Sequence, residues 1–242
     1  MQITVTPYKN NSSSKKEQIA AMFNNIAYRY DFLNNLLSIG IHVIWRKKAI
    51  QLLKKSAPKN ILDIATGTAS FAIEAMKLNP DKITGVDISE RMLNVGEKKI
   101  KNRKLDHKIK LMLADSENLP FPEDSFDAIT VGFGVRNFEN LLQGLKNMHR
   151  VLKPGGTVVI LEFSKPKKFP IKQLYHFYFS KLCPLVGNFF SKDKIAYSYL
   201  PESVKAFPDG QQFIQIMNNI GYKQTTYRPL TFGIASIYTG KK

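Results

Sequence analysis

The chain has 242 residues, enough for one substantial core and barely enough for two. Hydrophobic residues make up 43% and charged residues 23%, which excludes general disorder. With 36 Lys and Arg against 19 Asp and Glu, the formal charge is +17, a field that attracts anionic surfaces, whether nucleic acid or phospholipid headgroups.

A single cysteine, Cys183, excludes an intramolecular disulfide and a cysteine-rich metal site, and suits a reducing compartment. The first residues lack an apolar run of signal-peptide length, and no later stretch approaches the roughly 18 apolar residues of a membrane span. The expected location is the cytoplasm, with peripheral membrane association at most.

In chain order, residues 1–14 are polar and read as a flexible tail. Ile19, Met22, Phe23, Ile26, Tyr30, Leu33 and Leu37 then recur at three-and-four spacing, which predicts a helix over 15–37. A second helix over 43–55 closes at Ala57-Pro58, so residues 15–57 form an N-terminal helical extension. Strands follow at 60–65, 82–86, 109–113, 126–131 and 157–163, separated by helices at 70–78, 90–103 and 139–152. This alternation predicts a doubly wound, mainly parallel α/β sheet with helices on both faces, one domain over 15–242. A helix at 211–220 and strands at 221–228 and 234–239 add an antiparallel end. Residues 165–200 interrupt the alternation with aromatics (Phe169, Tyr175, Phe177, Tyr178, Phe179, Phe189, Phe190) and lysines, a helical insertion beside the strand C-termini.

Strand one runs into Ala65-Thr66-Gly67-Thr68-Ala69, and strand two ends at Asp87, twenty residues after Gly67. That is a Rossmann-like arrangement: a tight turn passes the ligand and a carboxylate accepts both hydroxyls of a ribose. A dinucleotide needs glycines where Ala65 and Ala69 stand, and no Walker lysine occurs, so neither NAD nor a nucleoside triphosphate fits. S-adenosylmethionine carries an amino acid and a sulfonium in place of phosphates and tolerates such a turn. Asp115 and Ser116 follow strand three, where Asp is also favoured in turns for its own sake.

The layout resembles the class I S-adenosylmethionine-dependent methyltransferases, which assigns Asp63, Thr66, Gly67, Asp87, Asp115 and Ser116 to the cofactor. Two stretches resemble a particular family, the UbiE/MenG/COQ5 quinone C-methyltransferases. The first runs from Tyr30-Asp31-Phe32 through Ser38, Gly40 and His42 to Trp45, with Leu33 where methionine is common; the second runs from Arg150-Val151-Leu152-Lys153-Pro154-Gly155-Gly156 to Ser164. Phe133-Gly134-Val135-Arg136-Asn137 and Tyr199-Leu200-Pro201-Glu202-Ser203 fit the same family, so the resemblance covers about residues 20–240. It implies methylation of a polyprenylated hydroquinone, demethylmenaquinol to menaquinol, with the benzoquinol intermediate of ubiquinone biosynthesis as the alternative.

Such a reaction needs in-line alignment and exclusion of water, and no metal. A ring carbon becomes nucleophilic when the neighbouring phenol, of pKa about 10, loses its proton. Arg136 and Asn137 are the candidates to stabilise the phenolate, and His42, of ordinary pKa about 6.5, is the candidate base or else a structural histidine. Tyr30 and Asp31 either shape the substrate pocket's lid or merely fix a helix turn, and Tyr199 is expected on the substrate side. The insertion's Lys165, Lys167, Lys168, Lys172, Lys181, Lys192 and Lys194 could draw the chain to an anionic membrane surface, while Tyr175, Phe179 and Leu182 line a prenyl channel or pack on the sheet. A nucleic-acid partner is disfavoured because Gly132-Phe133-Gly134-Val135 stands where a base N-methyltransferase carries Asn/Asp-Pro-Pro-aromatic. A non-catalytic Rossmann-like binder and an enzyme of small soluble metabolites are the other readings, and a homodimer is compatible with all of them.

Overall fold

The computed structural model describes residues 5–9, 11–178 and 195–242. Cys183 and the insertion residues Phe179, Lys181, Leu182, Phe189, Phe190, Lys192 and Lys194 lie outside them. Five strands run parallel: β1 (Asn60–Ile64), β2 (Lys82–Asp87), β3 (Ile109–Leu113), β4 (Phe126–Gly132) and β5 (Leu152–Phe163). β6 (Lys223–Leu230) and β7 (Ala235–Lys241) form the antiparallel end, with β7 against β5. The order β3-β2-β1-β4-β5-β7-β6 reverses direction between β1 and β4, the switch point where doubly wound sheets bind ligands.

The helices are α1 (Lys15–Ser38), α2 (Ile41–Gln51), α3 (Ser70–Ala75), α4 (Glu90–Asn102), α5 (Leu141–Val151), α6 (Ile171–Phe177), α7 (Ile195–Ala206) and α8 (Gln211–Ile220). Strand alternation divides the core between the two faces. Leu62, Ile64, Ile129 and Val131 meet α5 and α8 through Leu145, Met148, Phe213 and Met217. Ile61, Ile83, Ala128 and Val159 meet α2 and α3 through Trp45, Ala49, Phe71 and Ala72. All of these are buried, so the central strands read as nearly continuous apolar runs. The Lys-Pro-Gly-Gly turn survives inside β5: Leu152 pairs with Phe126 and Thr157 with Ala128, leaving residues 153–156 as a bulge with Gly155 at φ +76°.

Within the segment 1–14, read as a tail, the described residues make specific contacts to α1. Ser14 caps α1 in a reciprocal capping box with Glu17. Gln18 is buried, and its amide accepts from the Tyr8 backbone N–H at 2.9 Å and donates to the carbonyls of Asn11 and Ser13 at 3.2 and 2.8 Å. Val5 and Tyr8 also pack on Ile19, Met22, Leu33 and Tyr199. A buried amide demands partners, and here the tail supplies them.

Candidate active site

The turn after β1 is built for close approach of a ligand to backbone. Ala65, Gly67 and Ala69 all adopt positive φ, at +50°, +54° and +60°. Two alanines in that region carry local strain, a feature that persists where surrounding structure over-determines it. The Thr66 amide donates to the Val86 carbonyl at 3.0 Å and the Gly67 amide to Asp87 Oδ2 at 2.8 Å, tying the turn to β2. Asp87 Oδ1 accepts from the Ser89 amide at 2.9 Å, and burial pushes its carboxyl up against the opposing pull of those amides.

Asp87, Asp115 and Ser116 converge on a cleft with apolar walls from Val86, Ile88, Met92 and Phe138. Asp115 is ion-paired there with Lys16 of α1 at 2.8 Å and caps its own turn through the Glu117 amide at 2.9 Å. Asp63, expected to touch the cofactor, stands elsewhere. It is fully buried, lines neither the cleft nor the larger cavity beside it, and accepts from Thr66 Oγ1 at 2.6 Å and Thr130 Oγ1 at 2.7 Å. Burial pushes its carboxyl up to about 6, and its geometry is that of a residue holding Thr66 in place.

Phe23, Tyr30, Ala65, Gly67, Gly132 and Phe133 line both the cleft and a second cavity of about 960 Å³. This cavity is walled mainly by apolar side chains of α1, α2, α6 and the β6–β7 turn, and it contains Tyr30, Asp31, His42, Arg136 and Tyr199 from the sequence-derived set. Thus one wall separates a small carboxylate-bearing cleft from an apolar chamber large enough for a substantial ligand. Trp45 lines the chamber, tilted against Phe133 and edge-on to Phe163 at centroid distances of 6.2 and 6.4 Å, with its indole N–H on Thr231 Oγ1 at 2.8 Å.

Arg136 follows β4 in a helical turn and is buried. Its Nη1 donates to the Phe133 carbonyl and, at 2.8 Å, to Glu162 Oε1, while Nε–H has no partner among the described residues. Glu162 is fully buried in β5 and also receives the Phe163 amide at 2.8 Å; burial pushes its carboxyl up and the guanidinium opposes that shift. The guanidinium carbon lies 5.4 Å from the centroid of the Phe163 ring. Asn137 lines the cleft and accepts at Oδ1 from the Tyr199 hydroxyl at 3.2 Å. Burial pushes that hydroxyl up to about 12, so Tyr199 is a donor at neutral pH.

His42 Nδ1 meets Ser38 Oγ. Burial, with Arg46 adding a like charge, pulls the imidazole down to about 4. Asp31 accepts from Thr68 Oγ1 at 2.7 Å and from Lys99 Nζ at 2.8 Å, and Lys99 also donates to Ser70 Oγ at 2.8 Å. This joint ties α1 to the β1 turn and α4. Sequence reading missed Glu162, Lys16 and Lys99. A carboxylate inside the apolar run of β5 was a signal for Glu162; the lysines sit on ordinary polar helix faces and gave none.

Among the described residues, no group of three His, Cys, Asp or Glu could hold a metal ion, and no helix is long and apolar enough to cross a membrane. Solved structures define the fold class. An S-adenosylmethionine-dependent methyltransferase of Thermotoga maritima is similar with TM-score 0.64 and 19% identity, covering 92% of this chain and 99% of that one. Human N-acetylserotonin methyltransferase is similar with TM-score 0.64 and 16% identity, covering 95% and 60%. The fold is that of the class I S-adenosylmethionine-dependent methyltransferases.

Sequence relatives narrow this. The ubiE/COQ5 methyltransferase family model matches residues 11–242, and the chain belongs to that family. Demethylmenaquinone methyltransferase of Bacteroides fragilis is 48% identical over 239 residues, 98% of this chain and 97% of that one. The protein of the same name from Porphyromonas gingivalis is 45% identical over 240 residues, 98% of each chain. Ubiquinone/menaquinone biosynthesis C-methyltransferase UbiE of Geotalea daltonii is 48% identical over 232 residues, 95% and 98%.

Proposed function

We propose that this chain transfers a methyl group from S-adenosylmethionine to a ring carbon of demethylmenaquinol, giving menaquinol and S-adenosylhomocysteine, with the hydrogen of the methylated carbon lost as a proton. The observation that carries the reading is the carboxylate-bearing cleft sharing a wall with an apolar cavity of about 960 Å³. The cleft, about 60 Å³ as it stands, carries the carboxylates that an adenosyl amino acid calls for and must widen to admit it, the larger cavity suits a prenylated ring, and relatives of nearly full length bear the corresponding name.

The donor set fits the cofactor. Asp87 would hold the ribose hydroxyls, Asp115 and Ser116 the adenine, and the Thr66–Gly67 turn the amino-acid end, with Asp63 fixing Thr66. S-adenosylmethionine, when bound, supplies an already activated methyl group on a sulfonium. The apolar chamber excludes water from the ring, which strengthens every charge interaction inside it. Arg136, held by Glu162, offers its free N–H donors to the ring oxygen and so stabilises the phenolate that makes the adjacent carbon nucleophilic. Tyr199 holds Asn137 beside it. Tyr30 shapes the wall between the compartments, and Asp31 lines the larger one. His42, pulled to about 4, is a weak acceptor for a phenol proton and serves better as a neutral hydrogen-bonding group on Ser38.

A benzoquinol substrate is the second reading, favoured by the Geotalea daltonii relative, whose name covers both quinones. The prenyl tail places either substrate in a bilayer, and exposed Lys167, Lys168 and Lys172 favour an anionic one. The test is transfer of labelled methyl from S-adenosylmethionine by the purified protein, with reduced demethylmenaquinone, the reduced benzoquinol precursor and total RNA offered in parallel. Label is expected in the naphthoquinol; label confined to RNA would overturn the quinol reading.

A further inference from the structure

Two turns at the mouth of the large cavity hold bulky apolar side chains outward on unfavourable backbone. Ile39 ends α1 at φ +49° and is 91% exposed. Phe232, between β6 and β7, sits at φ +58° and is 79% exposed, next to Thr231 at φ +45°. A β-branched residue in the left-handed region is a genuine outlier, and glycine or asparagine would relieve it at either site. Neither side chain gains burial that would offset the strain. Leu174 of α6 and Ile44 of α2 join them, 61% and 51% exposed. All four line the same cavity, so its rim is an apolar collar.

The charge around the collar is mainly positive, and the one acid lining the cavity among the described residues, Asp31, is ion-paired with Lys99 at 2.8 Å. Residues 32–62, 163–178 and 210–242, which supply its elements, contain no Asp or Glu. Lys47 and Lys48 of α2 and Lys167, Lys168 and Lys172 in and before α6 are exposed on those same elements. Protruding apolar side chains backed by lysines match a surface with an anionic headgroup layer over hydrocarbon. A second copy of the chain would bring another mainly positive face against this one.

We propose that this collar is a docking surface for an anionic phospholipid bilayer, with Ile39 and Phe232 entering the acyl boundary so that the cavity opens directly into the lipid. This rests on the reading of the cavity as the chamber for a prenylated quinol.

The test is flotation of the purified full chain with vesicles of phosphatidylcholine alone and of phosphatidylcholine mixed with phosphatidylglycerol, with no quinol present. The chain is expected to float with the mixed vesicles and to lose binding in high salt. Ile39→Asn and Phe232→Asn should each weaken flotation roughly tenfold, from the apolar area withdrawn, while melting at or above the parent temperature because asparagine tolerates the left-handed region. Lys167→Glu with Lys168→Glu should abolish the preference for anionic vesicles independently of any turn. Failure of the parent chain to float, or unchanged flotation of both turn variants, would overturn the proposal. So would a parent dimer, seen by light scattering, that Ile39→Asn splits while flotation stays unchanged, since the collar would then be an interface between copies. Methyl transfer by the parent chain to a short-chain quinol without vesicles reads the catalytic assignment separately: transfer without flotation sinks the docking surface alone, and flotation without transfer sinks the substrate.

Discussion

Arg136 is a charge kept in an apolar place by one carboxylate. The Arg136–Glu162 pair lies 2.8 Å apart with both side chains buried, an arrangement in which either partner alone leaves an uncompensated charge worth about 3–5 kcal/mol. Arg136→Ala would therefore confound folding with chemistry. Arg136→Lys keeps the charge against Glu162 and removes the planar fork of donors. We expect kcat for quinol methylation to fall about a hundredfold, as when one preorganised oxyanion donor is removed. S-adenosylmethionine affinity, measured by calorimetry, should hold, since Arg136 does not line the cofactor cleft. An unchanged kcat would dismiss Arg136 as the phenolate partner.

Arg136 is positioned in turn by the elements around it. The turns after β1 and β4 touch at Gly134: a Cβ there would lie 2.5 Å from Ala65 Cβ and 3.1 Å from Val131 Cγ1. Gly134→Ala should therefore push the β4 turn, with Arg136 on it, away from the β1 turn. The expected cost is about 1–3 kcal/mol in urea unfolding, with loss of methyl transfer beyond what the unfolded fraction explains; a variant of parental stability and activity would show that the turns have slack. The strands and helices themselves were legible because each obeys one period: Gln211–Ile220 matches its expected bounds, and α1 runs one residue past its own. The cleft was legible too, since Gly67 and Asp87 stand at a fixed spacing. What escaped was tertiary. Asp63 lies in the same turn motif as Gly67, and only the packing of β4 shows that Thr130 claims its second oxygen. Likewise, nothing local marks Lys99 as the partner of Asp31, because residues sixty-eight apart meet only once α1 lies over α4.

For the whole molecule, two buried groups give opposing pH dependence. His42 titrates at about 4 in the folded chain against about 6.5 unfolded, so its contribution is complete above pH 6.5 and is lost as pH falls towards 4, where only the unfolded chain holds the proton. Asp63 is the reverse: at about 6 folded against 3.8 unfolded, the folded chain holds the extra proton between those values, and stability from this group declines as pH rises through 6. Over the window they share, the slopes cancel in part, so the parent chain alone cannot reveal either. A variant can, because carboxylates common to both proteins drop out of the difference. His42→Gln keeps a hydrogen-bonding side chain near Ser38 and removes the titration. The parent's stability advantage over His42→Gln should shrink by about 2 kcal/mol between pH 7 and pH 4, less than the full shift allows because the ring is not wholly shielded from solvent. Urea unfolding of both proteins at the two pH values measures it. A constant difference would mean that the imidazole is protonated in the folded chain as readily as in the unfolded one, which would return His42 to candidacy as a base near neutrality.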